Sequence, residues 1–497
     1  MRKFLLKRAL LCLAMLLCLI LAVACAEKND DGKSDLPTGD AEGNVPEGTT
    51  EYVDPYDPKL PEEDFEEYVF RILNVDSNAM SWAIVNVDVA EQTADVVEDA
   101  IYLRNRNVEG RYNFTLKEIA MHPDEVNTNI RKMSTSGTDD YDLFIARTDA
   151  IPSHATSGYL VDLAKLEYVN LSQPWWNSTT THYCSIGGKL FFTSSDFLLT
   201  DNENVATLAY NTKVAADLGF ENADQMYEIV LANKWTWEKF TEMCRAAYLN
   251  VDGTGVIDYD KDRFGLVSAG WYLGSVIMTS FNEPIIMKNA DDLPYIACKT
   301  DRFVELYTSM IDFFNDKKAV ARTSVDFNNV LEYVYERDGS LFAVTMLCGY
   351  RIMKGMKSDS ALLPLPKWNE AQDKYYTCAK ESTCISIPSV IPDPERSGFI
   401  IEALSAESAK ILTPAYYEKA LNVKYLRDEG SVLMLDIILS NQVNDIMYNI
   451  YNWGGFTDIY RDAMMKNNPN FTSLIERNET RILNAMQKTI DAYDNLY

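Results

Sequence analysis

Residues 68–75 read YVFRILNV, and this apolar, β-branched run predicts a buried β-strand. Residues 91–108 follow, with apolar side chains near helical spacing and charged residues between them, which predicts an amphipathic helix. The apolar positions that carry this spacing are Val97, Ile101 and Val108. The globular part of the chain is therefore predicted to begin with a strand followed by a helix.

The alternation of strand and helix continues after this first pair. Tyr112, Phe114 and Leu116 alternate with polar residues, which predicts a second strand. Residues 123–133 predict a short helix, and DLFIA at 142–146 predicts a third, buried strand. This order favours an α/β fold with a parallel sheet and right-handed crossovers.

Three polar residues follow the third predicted strand. Ligands of open α/β sheets lie beyond the carboxyl ends of the strands. Arg147, Thr148 and Asp149 occupy that position, so Asp149 is a candidate ligand contact. The alternative is an ordinary solvated loop.

The N-terminus has the features of an export signal. Four basic residues precede an apolar run at 9–24, which is shorter than the ~20 residues that a membrane span needs. Residues 1–24 therefore fit a secretory signal peptide. LAVAC at 21–25 resembles a bacterial lipobox, although Ala22 stands where leucine is usual, and the resemblance implies a lipid on Cys25. An ordinary cleaved signal and an uncleaved anchor are the alternatives.

The segment after Cys25 differs in composition from the rest. Residues 26–65 are rich in Asp, Glu, Gly, Pro, Ser and Thr and contain few large apolar side chains. Such a stretch cannot bury enough apolar surface to offset its ordering entropy, so a disordered acidic linker is expected over 25–65. Its function would be to hold a folded domain away from a membrane.

Length and charge limit what the remaining residues can do. Residues 66–497 exceed the ~250–300 residues at which a single core stops growing, so two lobes are expected. The net charge is −28, and removing the four basic residues of the signal leaves −32. This acidity argues against nucleic acid and against anionic lipid surfaces as partners, because both need basic patches.

The cysteines outside the first 65 residues are widely spaced. Export permits disulfides, but a domain of this size does not require them. Most of these cysteines are expected to be buried thiols, and Cys378–Cys384 is the local pairing to test. The six residues are Cys184, Cys244, Cys298, Cys348, Cys378 and Cys384.

A series of short motifs, in a fixed order, covers nearly the whole body of the chain. They are DYDLFIA (140–146), GYLVDLAKL (158–166), WWN (175–177), IGGKLFF (186–192), LAYNTKVAADLG (208–219), KWTWEKFTEMCRAA (234–247), LLPLPK (362–367), CISIPS (384–389) and SGFIIEALSAES (397–408). Taken together, this series resembles the family 1 extracellular solute-binding proteins of ABC importers, which are similar to the maltose-binding protein. Each motif alone is weak, and their order makes the resemblance specific.

The resemblance implies an α/β, two-lobed periplasmic-binding-protein-like fold with hinge crossover strands and an inter-lobe ligand cleft. By segment order, Leu208–Asn211 and Cys384–Pro388 would be the first two crossovers, and a third would fall within 440–450. The implied boundaries are 66–208 plus 389–443 for lobe 1 and 212–383 plus 444–497 for lobe 2.

The resemblance also implies a function. The protein would be a monomer without catalytic activity at the extracellular face of the bacterial cytoplasmic membrane, anchored by its lipid. It would capture a small solute, with a sugar favoured, and deliver it to the permease subunits of an ABC transporter. No cofactor is implied.

Several aromatic residues occur in loops or at helix starts rather than in regular core stripes. Aromatic rings cover the apolar faces of a sugar, and planar polar groups orient its hydroxyls. The candidate contacts chosen by segment order are Trp271, Trp453, Tyr350, Arg351, Tyr272, Trp175 and Trp176. Core packing is the alternative for each of them. Trp235 and Trp237 are assigned to packing at a helix start, with Thr236 as the N-cap.

A short acidic segment precedes the first predicted crossover. Its residues would either reach ligand hydroxyls or form a solvated acidic turn. The segment consists of Asp201, Asn202, Glu203 and Asn204.

One loop resembles an EF-hand. Calcium prefers oxygen ligands at alternate positions, a Gly at the sixth and a bidentate acid at the twelfth. With Asn250 first, donors and a glycine fall as required, but the twelfth residue is Lys261 and only the next one is acidic. The candidate ligands of a structural calcium ion are Asn250, Asp252, Thr254, Asp258 and Asp262. The alternative is a polar turn.

Two other classes of protein stay open. A secreted lipoprotein glycoside hydrolase would use two carboxylates, which cannot be picked out among so many acids. HExxH, GxSxG and P-loop motifs are absent, and His122, His154 and His182 have unrelated spacings. A ligand-sensing or adhesin lipoprotein would use the same two-lobed fold with a different membrane partner.

Overall fold

The computed structural model describes residues 54–323, 335–353, 359–380, 382–421 and 429–496. Asp54–Tyr497 forms one compact unit. The predicted signal peptide, the lipid-carrying Cys25 and most of the linker lie outside the described residues, so they stay predictions. Within the described part of the chain, no helix is both long and apolar enough to cross a membrane.

The described residues contain two larger sheets and one hairpin. In chain order the strands are β1 (Tyr68–Val75), β2 (Phe114–Met121), β3 (Leu143–Arg147), β4 (Ala206–Asn211), β5 (Phe264–Ala269), β6 (Ile286–Lys288), β7 (Pro294–Ile296), β8 (Val320–Thr323), β9 (Ser340–Met346), β10 (Ser360–Leu363) and β11 (Thr383–Ser386).

The first sheet has the spatial order β11–β3–β1–β2. Strand β1 pairs in parallel with β2 and with β3, which confirms the predicted parallel sheet. Strand β11 comes from late in the chain and pairs antiparallel with β3. The run YVFRILNV forms β1 over its full length, and its last four residues are fully inside.

The second sheet has the spatial order β10–β4–β9–β5–β8. Strand β4 runs antiparallel to both of its neighbours, β10 and β9. Strand β5 runs parallel to β8 and β9. All six residues of β4 are buried, so the predicted first crossover, Leu208–Asn211, ends inside the core of the second sheet.

Helices cover both sheets. In chain order they are Val96–Tyr112, Pro123–Ser136, Ile151–Thr156, Ser178–Cys184, Thr200–Glu203, Thr212–Leu218, Ala223–Leu231, Trp237–Ala246, Gly270–Ser280, Asp301–Asn315, Gly349–Ile352, Pro394–Leu421, Glu429–Ser440, Phe456–Met465 and Phe471–Asn495. Shorter turns of 3-10 or π geometry occur at Leu163–Lys165, Met447–Tyr451 and Trp453–Gly455.

Side-chain caps determine where several helices begin. The first helix begins at residue 96 rather than at the predicted 91, because the Asp95 carboxylate accepts hydrogen bonds from the backbone N–H groups of Val97 and Glu98. Thr236 caps the helix Trp237–Ala246 by accepting from the Lys239 N–H, which confirms its predicted role. Trp235 and Trp237 are buried beside this cap, as predicted.

The chain passes between the sheets several times, and this produces two lobes. It leaves the first sheet after β3, builds the second sheet from β4 to β10, and returns to the first sheet at β11. The predicted second crossover, Cys384–Pro388, begins within β11. The helix Pro394–Leu421 then packs on the helix Val96–Tyr112 of the first lobe.

The last change of lobe differs from the sequence-based expectation. The helix Glu429–Ser440 was assigned to the first lobe, but it packs against β10 and against the helix Ala223–Leu231 of the second. Its Ser431 hydroxyl lies 2.9 Å from the Tyr227 hydroxyl. The buried side chains that face the second lobe include Met434, Leu435 and Ile438. The chain has therefore changed lobes before residue 429, earlier than the expected 440–450.

The end of the predicted linker packs on the domain. Disorder was expected up to residue 65, but the Phe65 ring lies 5.4 Å from the Phe399 ring in an edge-on contact. The Asp54 carboxylate forms a 2.8 Å ion pair with Lys410. One aromatic contact and one ion pair thus hold the last residues of this segment against the domain, although its composition alone predicted disorder.

All six cysteines beyond the linker are buried, and none forms a disulfide with another described residue. This agrees with the expectation of buried thiols, and Cys378 and Cys384 are not bonded to each other. Burial raises the pKa of the Cys298 thiol to about 12 and that of Cys378 to about 11, so both are poor nucleophiles.

Candidate ligand-binding cleft

A cavity of about 180 Å³ lies between the two lobes. Thr148 and Asp149 follow β3 of the first sheet, and Trp271 follows β5 of the second. Both sheets thus contribute the residues just beyond the carboxyl ends of parallel strands, where such sheets place their ligands. The lining residues are Thr148, Asp149, Trp271, Lys380, Tyr448, Asn449, Ile450, Asn452, Thr457, Asp458 and Arg461.

The first lobe contributes a short polar loop. The Thr148 hydroxyl donates a 2.7 Å hydrogen bond to the Ser382 carbonyl, which fastens the loop to the segment entering β11. Asp149 accepts from Arg147 through both oxygens, at 3.1 and 2.9 Å, so its carboxylate is held in one orientation. Asp149 therefore lies at the site that the strand-end rule predicted.

The second lobe contributes Trp271, at the start of the helix Gly270–Ser280. Its side chain is half-buried and forms part of the cavity wall. The Tyr448 hydroxyl donates to the Trp271 carbonyl at 3.1 Å, which joins this helix start to the opposite wall. A half-buried indole in a cavity wall presents a rigid apolar surface to a ligand.

The opposite wall is built from an irregular segment. Met447–Tyr451 is a π-helical turn, a rare geometry that occurs frequently at functional sites. Asn452 follows it in the left-handed region, with φ 39°. The Asn449 amide donates to Asn444 at 3.1 Å, while its side-chain oxygen is buried and accepts no hydrogen bond from the described residues. One acceptor of this wall residue is therefore left without a partner among the described residues.

The rim carries a second ion pair. Asp458 and Arg461 both line the cavity, one turn apart on the helix Phe456–Met465, and their charged groups are 2.5 Å apart. Carboxylate and guanidinium groups so held can accept from and donate to ligand hydroxyls without reorganising.

Lys380 also lines the cavity and escaped the sequence analysis. Its side chain is only 8% exposed, and its ammonium lies 3.6 Å from the centre of the Tyr448 ring. Its backbone N–H donates to the Asn204 carbonyl at 3.1 Å, which fixes its position just before β11. The available signal was its place four residues ahead of the second predicted crossover.

A chamber of about 20 Å³ adjoins the cavity and shares Thr148, Asn449 and Ile450 with it. It also contains Asp201, whose Oδ2 accepts from Ser194 at 2.8 Å, whereas Oδ1 is buried without a partner among the described residues. Burial raises the pKa of Asp201. This volume suits about one water molecule. Asp201 thus lies inside the protein and not in a solvated acidic turn.

Trp175 and Trp176 lie in the core of the first lobe, outside the cavity. Their indole N–H groups donate to the two oxygens of Glu402, at 3.0 and 2.8 Å. Both side chains are buried. The pair therefore braces the helix Pro394–Leu421 and does not face a ligand in this structure.

Tyr350 is likewise buried, and its hydroxyl lies within hydrogen-bonding reach of carbonyls in the second sheet, at 3.3 Å from Ala361. The backbone of Arg351 belongs to the short helix Gly349–Ile352, but its side chain lies outside the described part of the structure, so its role as a ligand contact stays a prediction. Core packing, the alternative considered for Tyr350, is what the structure shows.

Trp453 and Tyr272 are also interior residues. Trp453 stacks on Tyr451 with ring centres 4.6 Å apart, and its indole N–H donates to Thr489 at 2.8 Å. Tyr272 is fully buried behind the cavity, with its ring 5.9 Å from the Lys380 ammonium. Of the segments that the sequence singled out, 270–272 contributes the predicted Trp271 to the cavity wall, and 452–455 contributes Asn452 in place of the predicted Trp453.

The loop that resembles an EF-hand is held by its own donors. Asp262 accepts from the backbone N–H groups of Val251 and Asp258, at 3.0 and 3.1 Å. Asp258 pairs with Lys261 at 2.7 Å. Within the described ranges, no group of three or more His, Cys, Asp or Glu side chains is arranged to hold a metal ion. Calcium binding stays a prediction, and an ion would have to displace these contacts.

The two-lobed arrangement is shared with solved structures of substrate-binding proteins. A cyclo/maltodextrin-binding protein complexed with maltotetraose covers 87% of this chain and 97% of its own, with a TM-score of 0.56 and 11% identity. The cyclic α-maltosyl-1,6-maltose binding protein from Arthrobacter globiformis covers 86% and 99%, with a TM-score of 0.56 and 12% identity. UgpB from Mycobacterium tuberculosis, in complex with glycerophosphocholine, covers 86% and 98%, with a TM-score of 0.55 and 14% identity.

These similarities confirm the expected fold, an α/β two-lobed fold of the periplasmic-binding-protein type. Neither protein-family models nor curated proteins gave a match to this chain. At such low identities the likeness concerns the fold, and ligand chemistry has to be argued from the cavity itself.

Proposed function

We propose that the protein captures a carbohydrate in the cavity between its lobes and delivers it to the permease of an ABC importer. The observation that carries this proposal is the composition of the cavity: one half-buried indole wall, Trp271, faces a rim of fixed polar groups. Solved proteins of the same fold were crystallised with maltotetraose and with glycerophosphocholine, so the fold accommodates sugars and other polar solutes.

The polar groups match what a sugar ring requires. Sugar hydroxyls need both donors and acceptors, and the unpartnered oxygen of Asn449 and the ion-paired Asp149 and Asp458 supply acceptors. The amide of Asn452 and the guanidinium of Arg461 supply donors. At about 180 Å³, the cavity is smaller than the ~300–1,000 Å³ typical of drug-sized ligands. It therefore suits one small solute or the end unit of a longer chain.

Both lobes contribute to this wall, which links binding to closure. A ligand that contacts Asp149 of the first lobe and Trp271 of the second binds best when both are close together. Such differential contacts favour the closed state of a hinged protein, and a permease can recognise that state.

The proposal includes a location. The signal peptide and the lipid on Cys25 would place the protein at the extracellular face of the bacterial cytoplasmic membrane, as a monomer on an acidic tether. In this role the protein binds its solute and releases it unchanged, without catalysis and without a cofactor.

Thermal unfolding against a panel of mono- and oligosaccharides tests the proposal. The chain from Ala26 to Tyr497, which includes the whole compact unit, would be used. A ligand at ~100 times its Kd should stabilise the native state by about 2.7 kcal/mol, which raises the midpoint by a few degrees. Trp271→Ala should abolish most of this rise.

The outcomes separate the rival classes. A rise with the saccharide recovered intact supports capture. A rise with the saccharide consumed would support a glycoside hydrolase instead. If no saccharide raises the midpoint, the carbohydrate assignment is refuted.

A further inference from the structure

Lys380 is a nearly buried cation in the wall of the cavity. Its ammonium lies 3.6 Å from the centre of the Tyr448 ring and 5.4 Å from that of Trp271. Aromatic faces attract cations, so these rings compensate part of the lost hydration. The same rings are cavity walls, which places the ammonium at the ligand-facing surface.

The ammonium is not fully satisfied by the protein. A lysine has three N–H donors, and among the described residues only one of them has a partner, in a 3.2 Å hydrogen bond to the Ser275 hydroxyl. In the part of the chain that the structure describes, no carboxylate forms an ion pair with Lys380. Buried charges in proteins are normally paired, so this arrangement is incomplete.

The nearest buried acid does not complete it. Asp445 lies in the same region, but its oxygens accept hydrogen bonds from the backbone N–H groups of Ile285, Met447 and Tyr448. Burial raises the pKa of Asp445, while its three backbone hydrogen bonds and the positive charge of Lys380 act to lower it. Its carboxylate is thus occupied in shaping the π-helical turn.

The other charges around the cavity neutralise one another. Arg461 is paired with Asp458, and Asp149 is paired with Arg147. With these two pairs set aside, Lys380 is the charged side chain of the cavity wall that has no ion-pair partner among the described residues. The protein as a whole has a net charge of −28, so this local sign is opposite to that of the molecule.

We propose that Lys380 receives an anionic group of the ligand, so that the solute is a saccharide bearing a carboxylate, sulfate or phosphate. This inference rests on the proposed capture of a carbohydrate and narrows its substrate class. The anion would accept the free ammonium donors while the sugar ring lies against Trp271. A neutral hydroxyl could accept one of these donors, but only an anion also balances the charge.

Matched ligands test the charge directly. Isothermal titration calorimetry would compare a uronic-acid oligosaccharide with its carboxyl-reduced form, which is the same chain without the acid. Comparing the affinities of hexose 6-sulfate and hexose 6-phosphate with that of the free hexose identifies which anion the site prefers. A charge-assisted hydrogen bond is worth about 1.5–3 kcal/mol, so at least one anionic form should bind ~10–150-fold more tightly than its neutral partner.

Two variants assign the preference to Lys380. Lys380→Gln keeps a donor for Ser275 and removes the charge, and it should lose the preference, so that the anionic and neutral partners bind within about 3-fold of each other. Lys380→Met replaces it if the glutamine variant does not fold, because methionine leaves no donor unpaired. Lys132→Gln, on the exposed face of the helix Pro123–Ser136, is the matched control and should behave as wild type.

Each result decides the matter. An anionic preference that disappears with Lys380 supports the inference. If neutral saccharides bind and no anionic form binds more tightly, the inference is refuted and the proposed capture of carbohydrate stands. If Lys380→Gln weakens neutral and anionic ligands equally, the inference is also refuted, because Lys380 then only supports the cavity wall. If no saccharide of either kind binds, both proposals fail.

Discussion

Replacing Trp176 by phenylalanine should weaken the first lobe without weakening ligand binding. The Trp176 indole donates at 2.8 Å to Glu402, which is fully buried and also accepts from Trp175 at 3.0 Å and from the Asn170 N–H at 3.1 Å. Phenylalanine keeps an aromatic ring but removes this donor. Sequence reasoning had offered Trp176 as a ligand contact, so the substitution separates the two roles.

The magnitude follows from the contacts. Loss of part of the indole should cost about 1 kcal/mol, toward the lower end of large-to-small core changes. The lost hydrogen bond adds about 0.5–1.5 kcal/mol when Glu402 is protonated and about 1.5–3 kcal/mol when it is ionised. The decrease in the free energy of unfolding should therefore be larger at high pH.

The pH window comes from the pKa of Glu402. Burial raises it to about 7, from an ordinary value of 4.5. Between these values the unfolded chain releases a proton that the folded chain keeps, so the contribution of Glu402 to stability is full below 4.5 and falls as pH rises to about 7. Trp176 is the side chain that lowers this pKa most, so its removal raises the pKa further. The deficit of the variant should accordingly grow as pH rises through 7.

Urea unfolding at pH 5 and pH 8 measures both deficits, and calorimetry with the bound saccharide measures affinity. Trp271→Phe is the reciprocal control: its indole makes no hydrogen bond within the described structure, so stability should stay within about 0.5 kcal/mol while affinity falls. An unchanged urea midpoint for Trp176→Phe, or a loss of affinity with stability intact, would refute the structural role of Trp176.

Three further outcomes are expected. Trp271→Ala should weaken saccharide binding by ~30-fold, the effect of removing an aromatic anchor worth about 2 kcal/mol, and calorimetry would detect an unchanged Kd if the indole is not a contact. Gly265→Ala should lower the free energy of unfolding, measured by urea denaturation, by about 1–3 kcal/mol, because the added Cβ would lie 2.1 Å from the Cys244 carbonyl oxygen. Gly110→Ala is the control: its added Cβ meets nothing within 4 Å, so the substitution should be neutral or stabilising in the same assay. A calcium ion in the 250–262 loop should raise the thermal midpoint of chelator-treated protein, and an unchanged midpoint on calcium addition would remove that site.

Much of the fold followed from local patterns. The strand β1, the parallel pairing of the first sheet and the Thr236 cap depend on periodicity and on one side chain, which a sequence displays directly. Periodicity could not predict which lobe the helix Glu429–Ser440 packs on, because an amphipathic helix fits either sheet. That choice required the partner surface, which residues distant in sequence provide.

The site divides in the same way. Strand order alone predicted Asp149, because the carboxyl ends of parallel strands converge wherever the sheet forms. The family resemblance suggested the aromatic segments, of which 270–272 and 452–455 reach the cavity, but whether an indole faces a cavity or a neighbouring helix depends on one rotation of the backbone. Trp453 turned inward onto Tyr451, while Asn452 of the same segment faces the cavity.

The sequence by itself predicted an export signal and determined the acidic balance and the order of strands and helices, and its length predicted two lobes. Each of these is local or additive along the chain. Only the tertiary structure decided which charges meet in the cleft. The Lys380 ammonium lies beside the rings of Tyr448 and Trp271 because three segments far apart in sequence converge there. Burial changes the free energy of that charge only after those segments have packed.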